Sequence, residues 1–215
     1  MKLVVFGPQG SGKGTYASRI SPKYKIPQIS TGDLFREAIK NKTELGKKVE
    51  KFVNSGIYVP DDITINVLKE RISKSDCKNG FILDGFPRTK EQAVALEKIT
   101  KIDVVINLVV PEWILLERLA CRVTCENCQT IYNTKTLKPN KEGVCDKCGG
   151  KLIQRKDETP EGIKLRLKQY REMSEPLIDF YKKKGIVIDI KVDKADVPPD
   201  VVVAEILKKL EKVKY

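Results

Sequence analysis

Gly7-Pro8-Gln9-Gly10-Ser11-Gly12-Lys13-Gly14-Thr15 decides the reading of this chain. The residues just before it, Lys2 to Phe6, form a short apolar run of β character, and a helical segment follows. Glycines at this density let the backbone wrap a polyphosphate with its N–H groups turned inward. The helix start adds its positive end, and Lys13 reaches the terminal phosphates. Strand, glycine loop and helix in that order open an α/β fold that holds a nucleotide phosphate. One departure from the usual pattern is that Gly14 follows Lys13, so the hydroxyl expected there moves to Thr15.

Outward from this loop, further β-type runs stand at Phe81 to Leu83, Val104 to Val110 and Ile186 to Val192. Runs so continuously apolar suit strands buried on both faces, as in a parallel sheet covered by helices. Helical periodicity marks Asp61 to Ser73, Pro111 to Arg122, Pro160 to Lys184 and Pro199 to Lys212. Thr159-Pro160-Glu161 is a start signal, with Thr as N-cap, Pro at the first helical position and an acid in the first turn. Glu175-Pro176 should kink or divide the helix that begins there. Between Val123 and Glu158 the apolar periodicity gives way to Cys, Asn, Lys and Gly, which reads as a small module inserted between two core helices.

Composition bounds the chemistry. A chain of 215 residues, 40% hydrophobic and 33% charged, can bury one core with insertions and is not disordered. The absence of His excludes imidazole acid/base catalysis, Ser-His triads and zinc sites that need imidazole. The formal charge of +12 suits anionic partners, as do Lys-rich solvated helices. No apolar stretch approaches the ~20 residues that span a bilayer, and the opening run is too short for a secretory signal, so a cytoplasmic protein without membrane contact is expected.

Two further motifs carry chemistry. In Gly80 to Thr89, GFILDGFPRT, an apolar strand delivers Asp84 to its C-terminal end, where an open α/β sheet binds its ligand. Asp84 is thereby placed to hold Mg²⁺ or its waters beside the phosphates, and Arg88 can fork onto a phosphate. Cys125-x-x-Cys128 and Cys145-x-x-Cys148, with 16 residues between the pairs, can close a tetrahedral thiolate site. Such a site leaves no open position for water, so its metal, zinc or alternatively iron, is structural. The module has too little core of its own, and the metal compensates, with the Cys pairs on turns at the bases of short strands. Cys77 and Cys121 lack partners at useful spacing and read as small buried hydrophobes.

The loop GPQGSGKGT, the segment QISTGDLFR at Gln28 to Arg36, DGFPRT, and Arg155-Lys156-Asp157 followed by Arg166 together resemble the adenylate kinases of the long type with a zinc-bearing lid. The resemblance covers Met1 to about Asp193. It implies a nucleoside monophosphate kinase fold: a five-stranded parallel sheet with helices on both faces, plus a small zinc-ribbon lid. Residues 1–29, 60–121 and 159–215 would form the core, 30–59 an AMP-binding segment and 122–158 the lid. It implies AMP contacts at Thr31, Arg36, Ile57, Tyr58, Val59, Gly85, Arg88 and Gln92. ATP contacts would fall on Gly10, Ser11, Gly12, Lys13, Gly14, Thr15, Arg118 and Arg122, with Arg155 and Arg166 on the transferring phosphate. Adenine would also meet the loop after Asp193, where Lys194 to Pro198 departs from the family pattern. The implied catalytic set is Lys13, Asp84, Arg88, Arg122, Arg155 and Arg166. The implied reaction is Mg²⁺-dependent transfer between ATP and AMP giving two ADP, by a monomer.

Chemistry agrees with that implication. A nucleoside monophosphate offers an oxygen already largely ionised at pH 7, its second pKa being about 6, so a His-free enzyme needs no general base. Catalysis becomes positioning and charge neutralisation. Two alternatives stand beside this reading. Another monophosphate kinase, using GTP or accepting UMP or CMP, is disfavoured by the zinc lid, since the UMP/CMP members carry a short one. A nucleic-acid-binding ribbon is disfavoured because Gln129 to Val144 holds Tyr132 alone among aromatics, with no basic cluster interleaved with rings.

Overall fold

The computed structural model describes residues 1–213; residues 214 and 215, included in the expected core, lie outside the described residues. Five parallel strands form the main sheet: β1 (Lys2–Phe6), β2 (Gln28–Ser30), β3 (Phe81–Asp84), β4 (Val104–Val109) and β8 (Val187–Lys191). They lie in the order β2-β3-β1-β4-β8, so the glycine loop leaves the centre of the sheet. Alternation along β1 explains why it sits there. Leu3 and Val5 face α1 (Lys13–Tyr24) and α9 (Pro199–Leu210), joining Ala17, Ile20, Val203 and Ile206 in one apolar layer. Val4 and Phe6 face the opposite way, into a layer with Leu83, Leu96, Leu177 and Tyr181. Each such buried side chain contributes about 1.5–3 kcal/mol, so a strand apolar on both faces is stabilised most in the middle.

The second layer is built by α4 (Asp61–Ile72), α5 (Lys90–Ile99) and α8 (Pro176–Lys182). Between β2 and α4, two helices make a hairpin: α2 (Thr31–Lys40) and α3 (Glu44–Ser55). Ser30 Oγ caps α2 by accepting from Asp33 N, and Thr43 Oγ1 caps α3 by accepting from Gly46 N. Phe35, Val49 and Val59 give this hairpin a small core of its own.

The expected helices end differently, the one from Asp61 by a single residue, at Ile72. The segment expected to run to Arg122 stops as α6 (Glu112–Ala120), because Arg122 opens β5 (Arg122–Cys125) and pairs with Asn133. The segment from Pro160 is divided, as expected, into α7 (Pro160–Gln169) and α8, but the break precedes Pro176: residues Tyr170–Ser174 widen into a π turn, closed by Glu175 N donating to Tyr170 O at 2.8 Å. Pro176 has no N–H, and its ring would collide with the carbonyl four residues earlier, so the wider turn accommodates it. The last helix stops at Leu210, short of Lys212.

The insert is a three-stranded antiparallel ribbon in the order β6-β5-β7, with β6 at Ile131–Asn133 and β7 at Leu152–Ile153. Its apolar core is little more than Tyr132 and Leu152 with the buried cysteines Cys125 and Cys145.

Candidate functional site

A cavity of about 640 Å³ opens at the C-terminal ends of β1 and β3, with the ribbon as its roof. Its floor is the glycine loop. Gly12, just before α1, has φ 98°, a left-handed conformation in which glycine is unstrained. The Lys13 ammonium donates to Gly7 O at 2.6 Å and Pro8 O at 2.8 Å, curling back over the loop. A Cβ at Gly14, where a hydroxyl residue is usual, would meet Asp84 Oδ2 at 3.1 Å, so that carboxylate would have to give by a few tenths of an ångström. Thus Asp84 fills the space beside the helix start, and Gln28 Nε2 donates to it at 3.3 Å.

Gly10, Gly12, Lys13, Gly14, Thr15, Arg118 and Arg122, all expected on ATP, line this cavity. Ser11 is the exception: it is fully buried behind the loop, and its N–H donates to Pro8 O. Arg118 reaches across to Ala195 O at 3.2 Å, which brings the loop after Asp193 to the cavity wall at Ala195 and Val197. A smaller recess adjoins the cavity and is lined by Thr31, Arg36, Ile57, Tyr58, Val59, Arg88 and Gln92. Gly85, expected with them, lines the larger cavity; its carbonyl accepts from Thr31 Oγ1 at 2.9 Å and from Arg88 Nε at 2.7 Å.

Arg88 is held from every side. Its guanidinium lies 4.9 Å from the centroid of the Tyr58 ring, a cation–π contact. Its backbone N–H donates to Gln92 Oε1 at 2.7 Å, and Gln92 in turn donates to Asp61 Oδ1 at 2.7 Å. Its carbonyl accepts from Ser174 Oγ at 2.9 Å, and that hydroxyl also meets Tyr58 OH. The π turn therefore has a visible result, since it aims Ser174 at the Arg88 loop.

Arg36, Arg122, Arg155 and Arg166 converge on the cavity from α2, β5, the segment after β7, and α7. Arg36 pairs with Asp33, Arg122 with the fully buried carboxylate of Glu158, and Arg166 with Asp157. These acids were not legible as site residues; Asp157 and Glu158 follow Arg155-Lys156 directly, and that alternation of sign was the one available signal. Positive charge still dominates. Burial, then the neighbouring Arg36 and Arg122, lower Arg155 to about 9. Burial also lowers Arg166 to about 10, against the opposing pull of Asp157. Lys13 is lowered to about 7, first by burial and then by Arg88, Arg166 and Arg122, with Asp84 opposing. Burial raises the Asp84 carboxyl, and Lys13 opposes that. Among the described residues, the buried Nε atoms of Arg122 and Arg155 have no hydrogen-bond acceptor. A site with this field and these donors suits a polyanion.

In the ribbon, the four cysteine sulfurs lie within 4.8 Å of one another, with Cys125–Cys148 and Cys128–Cys145 at 3.5 Å. A tetrahedral ion with bonds of about 2.3 Å would set sulfurs about 3.8 Å apart, so the quartet fits a structural zinc. Asp84 supplies one carboxylate beside the phosphate loop, which fits Mg²⁺, an ion that keeps waters and takes phosphate oxygens for its remaining ligands.

Residues 5–186 match the family model described as Adenylate kinase. The chain belongs to the adenylate kinase family. It is 50% identical to the adenylate kinase of Caldicellulosiruptor bescii over 193 residues, 87% of this chain and 90% of that one. It is also 50% identical to the adenylate kinase of Archaeoglobus fulgidus over 195 residues, 88% and 90% of the two chains. Against that of Staphylococcus aureus the identity is 49% over 209 residues, 94% and 97%. An adenylate kinase is a phosphotransferase, and the parallel sheet, glycine loop and Cys-bearing ribbon are the frame on which this one is an enzyme. Among the described residues no helix is long and apolar enough to cross a membrane.

Proposed function

We propose that this enzyme transfers the γ-phosphoryl group of ATP to AMP, reversibly and in line, giving two ADP without a covalent intermediate. The observation that carries the reading is that the cavity and the recess share Arg36, Tyr58, Arg88 and Arg166 as common walls. One nucleotide on the glycine loop and one in the recess would thus point their phosphates at the same arginines. Residues 30–59 act as the acceptor segment, 122–158 as a lid, and the remainder as the core.

In this mechanism the loop backbone and Lys13 hold the β- and γ-phosphates, and Arg118 and Arg122 steady the donor. Thr31, Arg36, Gly85, Arg88 and Gln92 orient the acceptor, whose phosphate is already ionised and needs no base. Arg88, Arg122, Arg155 and Arg166 neutralise charge that spreads over the equatorial oxygens as transfer proceeds. Asp84 would hold Mg²⁺, which when bound draws charge from the phosphoryl oxygens. With the ribbon over the cavity, water is kept from accepting the phosphoryl group. The four thiols gathered for metal suit a reducing compartment, and a cytoplasmic monomer is the proposed working form.

Steady-state assays of ATP and GTP against AMP, CMP, UMP and GMP test this. The expected result is the highest kcat/KM for ATP with AMP and two ADP formed per turnover. Preference for CMP or UMP, or equal use of GTP, would replace the reading with another monophosphate kinase.

A further inference from the structure

Arg36 and Lys40 stand four residues apart on α2 and so share one face of it. That face meets the first metal-binding turn of the ribbon, residues 125–129. Lys40 Nζ donates to Glu126 O at 3.3 Å and to Asn127 Oδ1 at 3.2 Å. Arg36 Nε donates to Gln129 Oε1 at 3.2 Å. Gln129 has φ 59°, the left-handed region that a side chain other than Gly, Asn or Asp seldom occupies. Its N–H closes the turn onto Cys125 O at 3.0 Å, and its Nε2 donates to Glu126 O at 3.3 Å. A turn that glycine would make without strain carries instead a side chain aimed into the cavity at an arginine. On its other side the Arg36 guanidinium is paired with Asp33 on its own helix.

We infer that Gln129 is a positioning residue for the acceptor site: seated with the ribbon, it fixes the second side of Arg36, so that closing the ribbon and setting Arg36 for an acceptor phosphate are one event. The inference rests on the proposed role of Arg36 in holding that phosphate. Its consequence is that acceptor affinity depends on the ribbon's metal-bearing turn, although no residue of that turn lines the recess, which is built mainly from α2, the segment after α3 and the Arg88 loop, with Asp157 and Arg166 closing it. Lys40 reinforces the same contact from solvent.

Gln129→Gly is the decisive variant, since it removes the side chain while relieving the backbone. Losing a hydrogen bond to a charged group, partly solvated here, should raise KM for AMP on the order of threefold to tenfold. The metal content and melting temperature should hold, and kcat and KM for ATP should stay within about twofold. Gln129→Met, which keeps the bulk of the side chain but not the amide acceptor, should raise KM for AMP as Gln129→Gly does. Lys40→Met should raise KM for AMP in the same direction by less. A parent-like KM for AMP in Gln129→Gly overturns the inference, as does a rise accompanied by loss of metal and a lower melting temperature. Arg36→Met separates the two levels: if it raises KM for AMP well beyond Gln129→Gly while Gln129→Gly changes nothing, only the role of Gln129 falls. If Arg36→Met also leaves KM for AMP unchanged, the acceptor role of Arg36 falls with it.

Discussion

The phosphate loop, residues 7–15, and the ribbon, whose strands lie between residues 122 and 153, face each other across one cavity but are held in place by different forces. The loop rises from β1, whose side chains are buried on both faces, so its position follows from a large core. The ribbon has almost no core; its place depends on four thiols within 4.8 Å of one another and on polar contacts to α2. One half of the site is backbone geometry on a rigid base. The other is made of long charged side chains delivered by an element with little apolar core of its own. If the proposed transfer between two nucleotides holds, the core side would bind and the ribbon side would close over the site to exclude water.

The largest expected effect comes from removing the ribbon. Replacing Val123 to Glu158 with a short glycine linker takes away Arg155 and the roof together, so transfer should drop on the order of 10³-fold, more than one lost transition-state donor. AMP binding, measured by titration, should weaken far less, because Thr31 and Arg88 remain. A linker variant that transfers at the parent rate would erase the distinction between the halves.

Next in size is the fixed half. Lys13→Met should leave circular dichroism unchanged and lower kcat on the order of 10²-fold. Turnover near that of the parent would remove Lys13 from the mechanism and leave the loop as a passive cradle.

A smaller effect separates structure from chemistry within the ribbon. Cys145→Ser with Cys148→Ser should release the metal and lower the melting temperature on the order of 10 °C. At low temperature and saturating AMP, kcat should persist, because a four-thiolate ion has no open position. Intact stability with all turnover lost would mean that the metal does chemistry.

The smallest effect is electrical. Lys13 sits at about 7, below an ordinary lysine near 10.5, because burial and the arginines disfavour its charge. A base whose folded pKa is lowered makes the fold less stable wherever it must be charged. Stability of the nucleotide-free enzyme should therefore rise with pH between about 7 and 10.5, where the unfolded chain binds the extra proton. A bound polyphosphate restores the charge, so calorimetry at pH 8 in buffers of different ionisation enthalpy should detect proton uptake on nucleotide binding, absent in Lys13→Met. Equal heats in every buffer would contradict the assignment.

The same contrast explains what could be read from the sequence. The loop, the four longer strands and the Cys spacing are contiguous patterns, each dictated by local backbone or ligand geometry. The edge strand β2 escaped periodicity because it has three residues and buries only Ile29 well; QISTGDLFR entered through family resemblance instead. The helix boundary at Ala120 was missed because Arg122 suits a helix as well as the strand that pairs with Asn133. Asp61, which steadies Arg88 through Gln92, looks in sequence like any acid in a first helical turn. Gln129 and Lys40 have no local signal, since their partners lie 93 and about 87 residues away. Arginines that meet only in three dimensions are bland one at a time.

The most direct test of one cavity serving two nucleotides is inhibition by a mimic joining two adenosines through a phosphate chain. Such a mimic should compete with both ATP and AMP, bind far more tightly than either, and protect residues 123–158 from proteolysis. Competition with one nucleotide alone, or a ribbon as protease-sensitive as in the free enzyme, would contradict it.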